Sequence, residues 1–303
     1  MSDHPKLVKH LLTALCCLGL LAALPAHARC ALSRKTPDTL SQWKASGYAV
    51  SDAADRNTRA LELVDCLGDP DPLLRNGIAF EALSTWMRGK QLDADTLRLL
   101  GQRLLAQLDG ADAQGFRKPF AALVLSEVAR TDRVQPWMSA DERGHMASAA
   151  GAYLQGVRDY RGHVDGEGWR HGIAHGADWA LQLVLNKAVE PAQVQSLLSA
   201  IGTQVMPANG HSYGFGEPAR LARPVAYAVA RGDIEQSVMD AWLVGLATSL
   251  GPRPGDHMQS TWWARRANLE NFLHALAYVA DGNQSPALTA LATGVSTTLQ
   301  KLP

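Results

Sequence analysis

Net charge is the first thing this chain lacks: 29 Lys and Arg stand against 29 Asp and Glu in 303 residues. That balance leaves no basic stripe for nucleic acid and no cationic face for an anionic membrane surface. Cysteine is scarce, with four residues, and no run of alternating β-branched residues marks a strand. The longest apolar run, Leu11–Leu24, is too short for a comfortable membrane span. There is no serine on a strand–turn–helix elbow and no phosphate-binding glycine loop after a strand. Those absences argue against serine-hydrolase and nucleotide-binding chemistry.

The amino terminus reads as an export leader. Lys6 and Lys9 precede the apolar run, and Ala26-His27-Ala28 follows as a small-x-small cleavage site. Residues 1–28 are therefore expected to be a signal peptide, with the mature chain periplasmic or secreted and free of membrane. The alternative is an uncleaved anchor. Leu15 before Cys16 and Arg29 before Cys30 do not suit a lipoprotein site. Cleavage removes two lysines and one aspartate, leaving a net charge of −1. It also removes Cys16 and Cys17, so that Cys30 and Cys66 remain as a pair in an oxidising compartment, where a disulfide is expected.

After a short extension, 29–36, the chain reads as helix after helix from 37 to 303. Apolar residues recur at three- and four-residue spacing over 37–47, 54–67, 71–88, 94–109, 116–130, 139–158, 168–187, 191–204, 217–231, 235–249, 260–281 and 285–300. Asp or Ser before the first turn and Pro within it mark many of the starts, as at Glu190-Pro191 and Ser285-Pro286. The fold class is all-α. The stretch Leu67-Gly68-Asp69-Pro70-Asp71-Pro72-Leu73-Leu74-Arg75 resembles half of a HEAT-type hairpin, in which Asp-Pro-Asp makes the turn and an arginine follows early in the next helix. Stacked hairpins of this kind predict a curved α-solenoid or toroid with one concave surface.

The densest chemistry lies in Arg161–Asp178. A loop spaced by Gly162, Gly166 and Gly168 carries Arg161, Asp165 and Glu167, then runs into a helix bearing His171 and His175. At about 100° per residue, His171, His175, Asp178 and Gln182 fall in a band of roughly 60°, with Trp169, Ile173, Ala177 and Val184 opposite. Histidines at i and i+4 can share a metal ion, zinc being the natural choice, with Asp178, His211 or His274 as third ligand. Gly172 stands where a zinc protease needs glutamate, which argues against that class. Asp165 and Glu167 are the candidate catalytic carboxylates, as a general base or as a pair acting on a sugar, with Trp169 and Trp179 as stacking platforms. Arg161, His171, His175, Asp178, Glu217, Arg220 and Asn271 are candidate binding residues. The plainer reading is a surface helix capped by Asp165, its histidines solvated.

Three segments together resemble a bacterial family of all-helical proteins known only as a domain of unknown function. They are the Leu67–Leu83 hairpin, the helix Phe116-Arg117-Lys118-Pro119-Phe120-Ala121 onward, and the Arg161–Asp178 signature, with Gly216-Glu217-Pro218-Ala219-Arg220 as a weaker fourth. The resemblance implies a helical-hairpin fold over nearly the whole mature chain and no particular reaction. The expected function is a binding or scaffold module whose concave surface centres on 161–182; the alternative is a metal-dependent hydrolase built on His171 and His175.

Overall fold

The computed structural model describes residues 30–255, 258–281 and 285–303. The expected leader, and Asp256 and His257 of the glycine-rich 251–259 connection, lie outside the described residues. Among those described, the chain is all-α, with twelve α-helices and one two-residue strand pair. The helices are α1 (Pro37–Ala45), α2 (Ala53–Glu62), α3 (Glu81–Arg88), α4 (Ala94–Leu108), α5 (Arg117–Val134) and α6 (Ala140–Gly156). They continue with α7 (Gly172–Val184), α8 (Pro191–Val205), α9 (Glu217–Arg231), α10 (Gln236–Leu250), α11 (Ser260–Asp281) and α12 (Pro286–Gln300).

Local chemistry explains where the helices begin. The side chains of Thr36, Asp52 and Asp93 accept the backbone N–H three residues on, capping α1, α2 and α4. Ser139 and Glu142 form a reciprocal capping box on α6. Two predicted helices change character. The 54–67 stretch is α-helical only to Glu62 and continues as a 3-10 helix, Leu63–Gly68, while 71–88 opens as a π-helical segment, Leu73–Phe80, before α3. Both irregularities flank the Asp69-Pro70-Asp71-Pro72 turn, where two prolines remove backbone donors and Asp71 caps Leu73 N.

Alternate helices pack on one another. α5 lies along α7, α7 on α9, and α9 on α11, while α6 packs on α8, α10 on α12 and α2 on α4. α7 therefore has neighbours on every side, and its sequence suits that position: Ile173, Ala174, Ala177, Trp179, Ala180, Leu183 and Val184 are all buried. Gly176 permits the approach of α6, since a Cβ there would stand 2.7 Å from Leu154 and 2.9 Å from Tyr153. The apolar-against-polar division predicted for this helix is overridden, because the polar side is covered as well.

Cys30 and Cys66 are joined as expected, both buried, tying the first described residue to the 3-10 helix that follows α2. The bridge spans a separation of 36 residues. Chain-entropy arguments assign such a loop about 3–4 kcal/mol. Urea unfolding of the Cys30→Ser/Cys66→Ser protein should show a loss of that order; a loss below about 1 kcal/mol would mean that the terminus is held by packing instead.

Candidate functional site

The signature folds as a hairpin that feeds α7. His163 pairs with Trp169 and Val164 with Gly168, and the pairing extends to His171 N donating to Arg161 O at 3.1 Å. Gly166, at φ +78°, sits at the turn position that favours glycine, and Glu167 N closes the turn onto Val164 O. The helix predicted from 168 therefore starts only at Gly172. His171, not Asp165, is its N-cap, and it does so in the left-handed region at φ 56°, ψ 37°. Few non-glycine residues sit there, and such conformations gather at functional sites.

Two buried arginines hold the hairpin. Arg75, fully buried, donates to Asp69 O and Pro70 O on its own side and to Glu167 O across the fold at 2.7 Å. Its guanidinium lies 3.7 Å from the centroid of the Phe116 ring. Burial, with Arg170 nearby, pushes its pKa down to about 10. Arg170 lies 4.1 Å from the same ring, pairs with Glu167 at 2.7 Å and donates to Gln114 O. The arginine of the Asp-Pro-Asp hairpin thus reaches the signature, a link its helical turn alone could not reveal.

Beyond the hairpin, four side chains form the core of the site. The Trp169 ring stacks on His171, with centroids 4.7 Å apart, and meets Phe215 edge-on at 5.8 Å. Trp169 and Phe215 are 38% and 47% exposed, whereas His171 and Glu217 beneath them are 8% and 1% exposed. Glu217 opens α9, and its Oε2 accepts Phe215 N at 2.9 Å. Burial raises its pKa, but His171 and the loop amides outweigh that and hold it below the usual carboxylate range. Its Oε1 is 3.5 Å from His171 Nε2, and that nitrogen has no hydrogen-bond partner within the protein.

Gly162 makes room for this arrangement. A Cβ at residue 162 would lie 2.2 Å from Phe215 Cδ2 and 3.0 Å from Phe215 Cβ, so the whole ring would have to move. Gly162→Ala should cost about 1–3 kcal/mol by overpacking and uncouple Phe215 from Trp169. Near-ultraviolet circular dichroism and urea unfolding report the two effects, and a variant identical to wild type in both would contradict this packing.

The remaining candidates divide. His175 is buried, its Nδ1 sits 3.0 Å from Pro119 O, and its ring meets Phe120 and His171 edge-on. Burial, then the neighbouring His171, drives its pKa down to about 3. Asp178 pairs with Arg220, and burial raises its pKa against Arg220's opposing effect. His171, Asp178, Glu217 and Arg220 thus belong to one neighbourhood, with Arg161 at its edge, bound to Asp159. Among the described residues no three His, Cys, Asp or Glu side chains come together as a group able to hold a metal ion, so His171, His175 and Asp178 do not assemble the expected zinc set. Neither proposed third ligand completes it: His211 is stacked on Tyr160, and His274 is exposed on α11.

Other expectations are corrected by burial. Asn271 is exposed, and the α11 residue that turns inward is Asn268, which accepts Tyr213 N and donates to His211 O. Trp179 is fully buried and offers no platform, while Trp169, placed by helical periodicity on the apolar side, lies at the surface because residue 169 belongs to a strand. Asp165 is fully exposed and Glu167 is taken up by Arg170, so the two do not form a facing carboxylate pair. Phe215 and Arg75 were not singled out as site residues by sequence; a glycine-flanked aromatic and an arginine after Asp-Pro-Asp were the only signals.

No curated protein and no solved structure matches this chain. A family model does, over residues 104–278, which takes in the signature, Phe215, Glu217 and α11 up to Tyr278. The match stops short of the Leu67–Leu83 hairpin, which the sequence resemblance had included. Covering more than half of the chain, it shows that the protein belongs to the family described as protein of unknown function (DUF2785).

Proposed function

We propose that this chain is an exported ligand-binding protein whose site is the surface made by the 161–171 hairpin and the start of α9. One observation carries the reading. A buried histidine nitrogen without a partner faces a buried carboxylate at 3.5 Å, beneath two exposed aromatic rings. Unpartnered buried polar atoms are costly, and binding sites are where proteins keep them. Aromatic walls with a few convergent polar groups are also the usual make-up of small-ligand sites. The left-handed His171 fits the same reading, since its strain persists only because the hairpin and α7 hold it from both sides. Export is supported by the leader pattern and by the buried disulfide. The hydrolase alternative, resting on His171 and His175, lacks a third ligand among the described residues.

The test is a thermal-shift screen of wild type and Trp169→Ala/Phe215→Ala against a library of saccharides, amino acids, nucleosides and dicarboxylates. A ligand that raises the wild-type Tm by a few degrees and leaves the variant unmoved is the expected result. Hits that stabilise both proteins equally would place binding elsewhere.

A further inference from the structure

A cavity of about 350 Å³ lies away from the hairpin, where the end of α3 and the start of α4 meet the last turns of α5. Its volume suits a small molecule. Three cationic side chains line it, Arg88, Lys90 and Arg130, against one carboxylate, Asp93. Asp93 is already engaged, its two oxygens accepting Thr96 N at 2.7 Å and the Asn57 amide. Lys90 and Arg130 have no ion-pair partner among the described residues. Arg88 binds Glu127 through Nε and one terminal nitrogen, which leaves its Nη1 open to a second acceptor. Arg130 also crowds a like charge: burial first, and Arg130 second, push the Arg133 pKa down.

The backbone at Lys90 is a second, independent sign. α3 ends in a Schellman turn, with Lys90 N donating to Met87 O at 3.1 Å and Gln91 N to Trp86 O at 2.8 Å. Glycine is the usual residue at the left-handed position of such a turn, but here it is lysine, at φ 55°. A lysine retained where glycine would be less strained is an outlier of the kind that marks function, and it lines the cavity. The remaining walls are largely apolar. Leu92 and Leu97 are buried, Val134 is 46% exposed, and the Trp137 indole is fixed by Nε1 donating to Thr131 Oγ1 at 3.0 Å. Arg98, 5.4 Å from the centre of that ring, lines the adjoining cavity and not this one. A bare inorganic anion would leave these walls wet, whereas an anion carried on an apolar body covers them. We infer that this cavity is a second binding site, separate from the hairpin surface, for a small organic acid. Its carboxylate is held by Lys90, Arg130 and Arg88, and its apolar body lies against Leu92, Val134 and Trp137.

The experiment is titration calorimetry of the mature chain with benzoate, indole-3-acetate and hexanoate up to roughly 10 mM, covering weak affinities. Benzamide, indole-3-acetamide and hexanamide are the neutral counterparts, and inorganic phosphate is the bare anion. At least one acid should bind, with its amide and inorganic phosphate each about tenfold weaker or more. Arg130→Met and Lys90→Gly should each weaken that acid about tenfold or more. Glycine relieves the left-handed backbone, so Lys90→Gly should also raise the urea midpoint. Weaker binding in a more stable protein is an outcome that misfolding does not produce. Trp169→Ala/Phe215→Ala should bind the acid as wild type does. The assignment is overturned by no binding of any acid, by equal affinity for the amides or for inorganic phosphate, or by unchanged affinity in both Arg130→Met and Lys90→Gly. Binding lost in Trp169→Ala/Phe215→Ala would move the ligand to the hairpin surface and overturn it too.

Discussion

Replacing Arg75 with methionine is expected to cost about 3–5 kcal/mol of folding stability, because the side chain is fully buried. Methionine fills much of the volume but offers no donor to Asp69 O, Pro70 O or Glu167 O, so three part-buried hydrogen bonds are lost together. The contact with the Phe116 ring is lost too, worth up to about 2 kcal/mol when desolvated. Lysine would keep the charge but cannot span three carbonyls with one ammonium, so Arg75→Lys should fall between the two. Urea midpoints rank the three proteins. Hydrogen exchange adds a local readout, in which the hairpin amides of Val164–Arg170 should lose protection before α5 and α7 do. A shift below about 1 kcal/mol in Arg75→Met would show that Glu167 O is satisfied by something other than this side chain.

A comparably large effect is expected from pH, and His175 is its source. The side chain is neutral in the folded protein, with a pKa of about 3, against about 6.5 in an unfolded chain. Between those values the unfolded state binds the proton and the folded state does not. Stability from this group is therefore intact above about pH 6.5 and falls as the pH drops towards about 3. At 1.36 kcal/mol per pH unit the full loss is roughly 3–5 kcal/mol. The charges that face the imidazole, His171 and Arg220, are both on the cationic side and so reinforce the cost of a second proton. Asparagine at 175 can still place an N–H near Pro119 O and does not titrate. The acid limb of stability should accordingly be flatter in His175→Asn than in wild type, while carboxylates such as Glu217 contribute equally to both. Parallel acid limbs would mean that His175 stays protonatable in the folded state.

The polar stripe of His171, His175, Asp178 and Gln182 shows how far a local rule carries. Helical periodicity places those residues on one side correctly, but whether a side faces water depends on what packs there. Here α5 covers His175 through the Pro119 carbonyl, and Arg220 from α9 reaches Asp178. Trp169 fails for the opposite reason. Helical periodicity does not apply at residue 169, which lies three residues before α7 begins at Gly172 and belongs to the strand that Gly168, at φ +82°, opens.

What the sequence determined by itself was whatever depends on near neighbours along the chain. The all-α class, the helix starts set by Thr36, Asp52, Asp93 and Ser139, the glycine turn at Gly166 and the even cysteine count all follow from rules acting within a few residues. The tertiary structure alone decided which groups meet across long separations. Arg75 reaches a carbonyl 92 positions away, Arg220 pairs with a carboxylate 42 positions away, and Glu217 comes to rest beneath Trp169 and Phe215 beside His171. The reason is physical. Caps and turns are settled by the backbone's own donors and acceptors, whereas burial and the pairing of distant charges depend on which helices pack together, and here α7 is enclosed by α5, α6, α8 and α9.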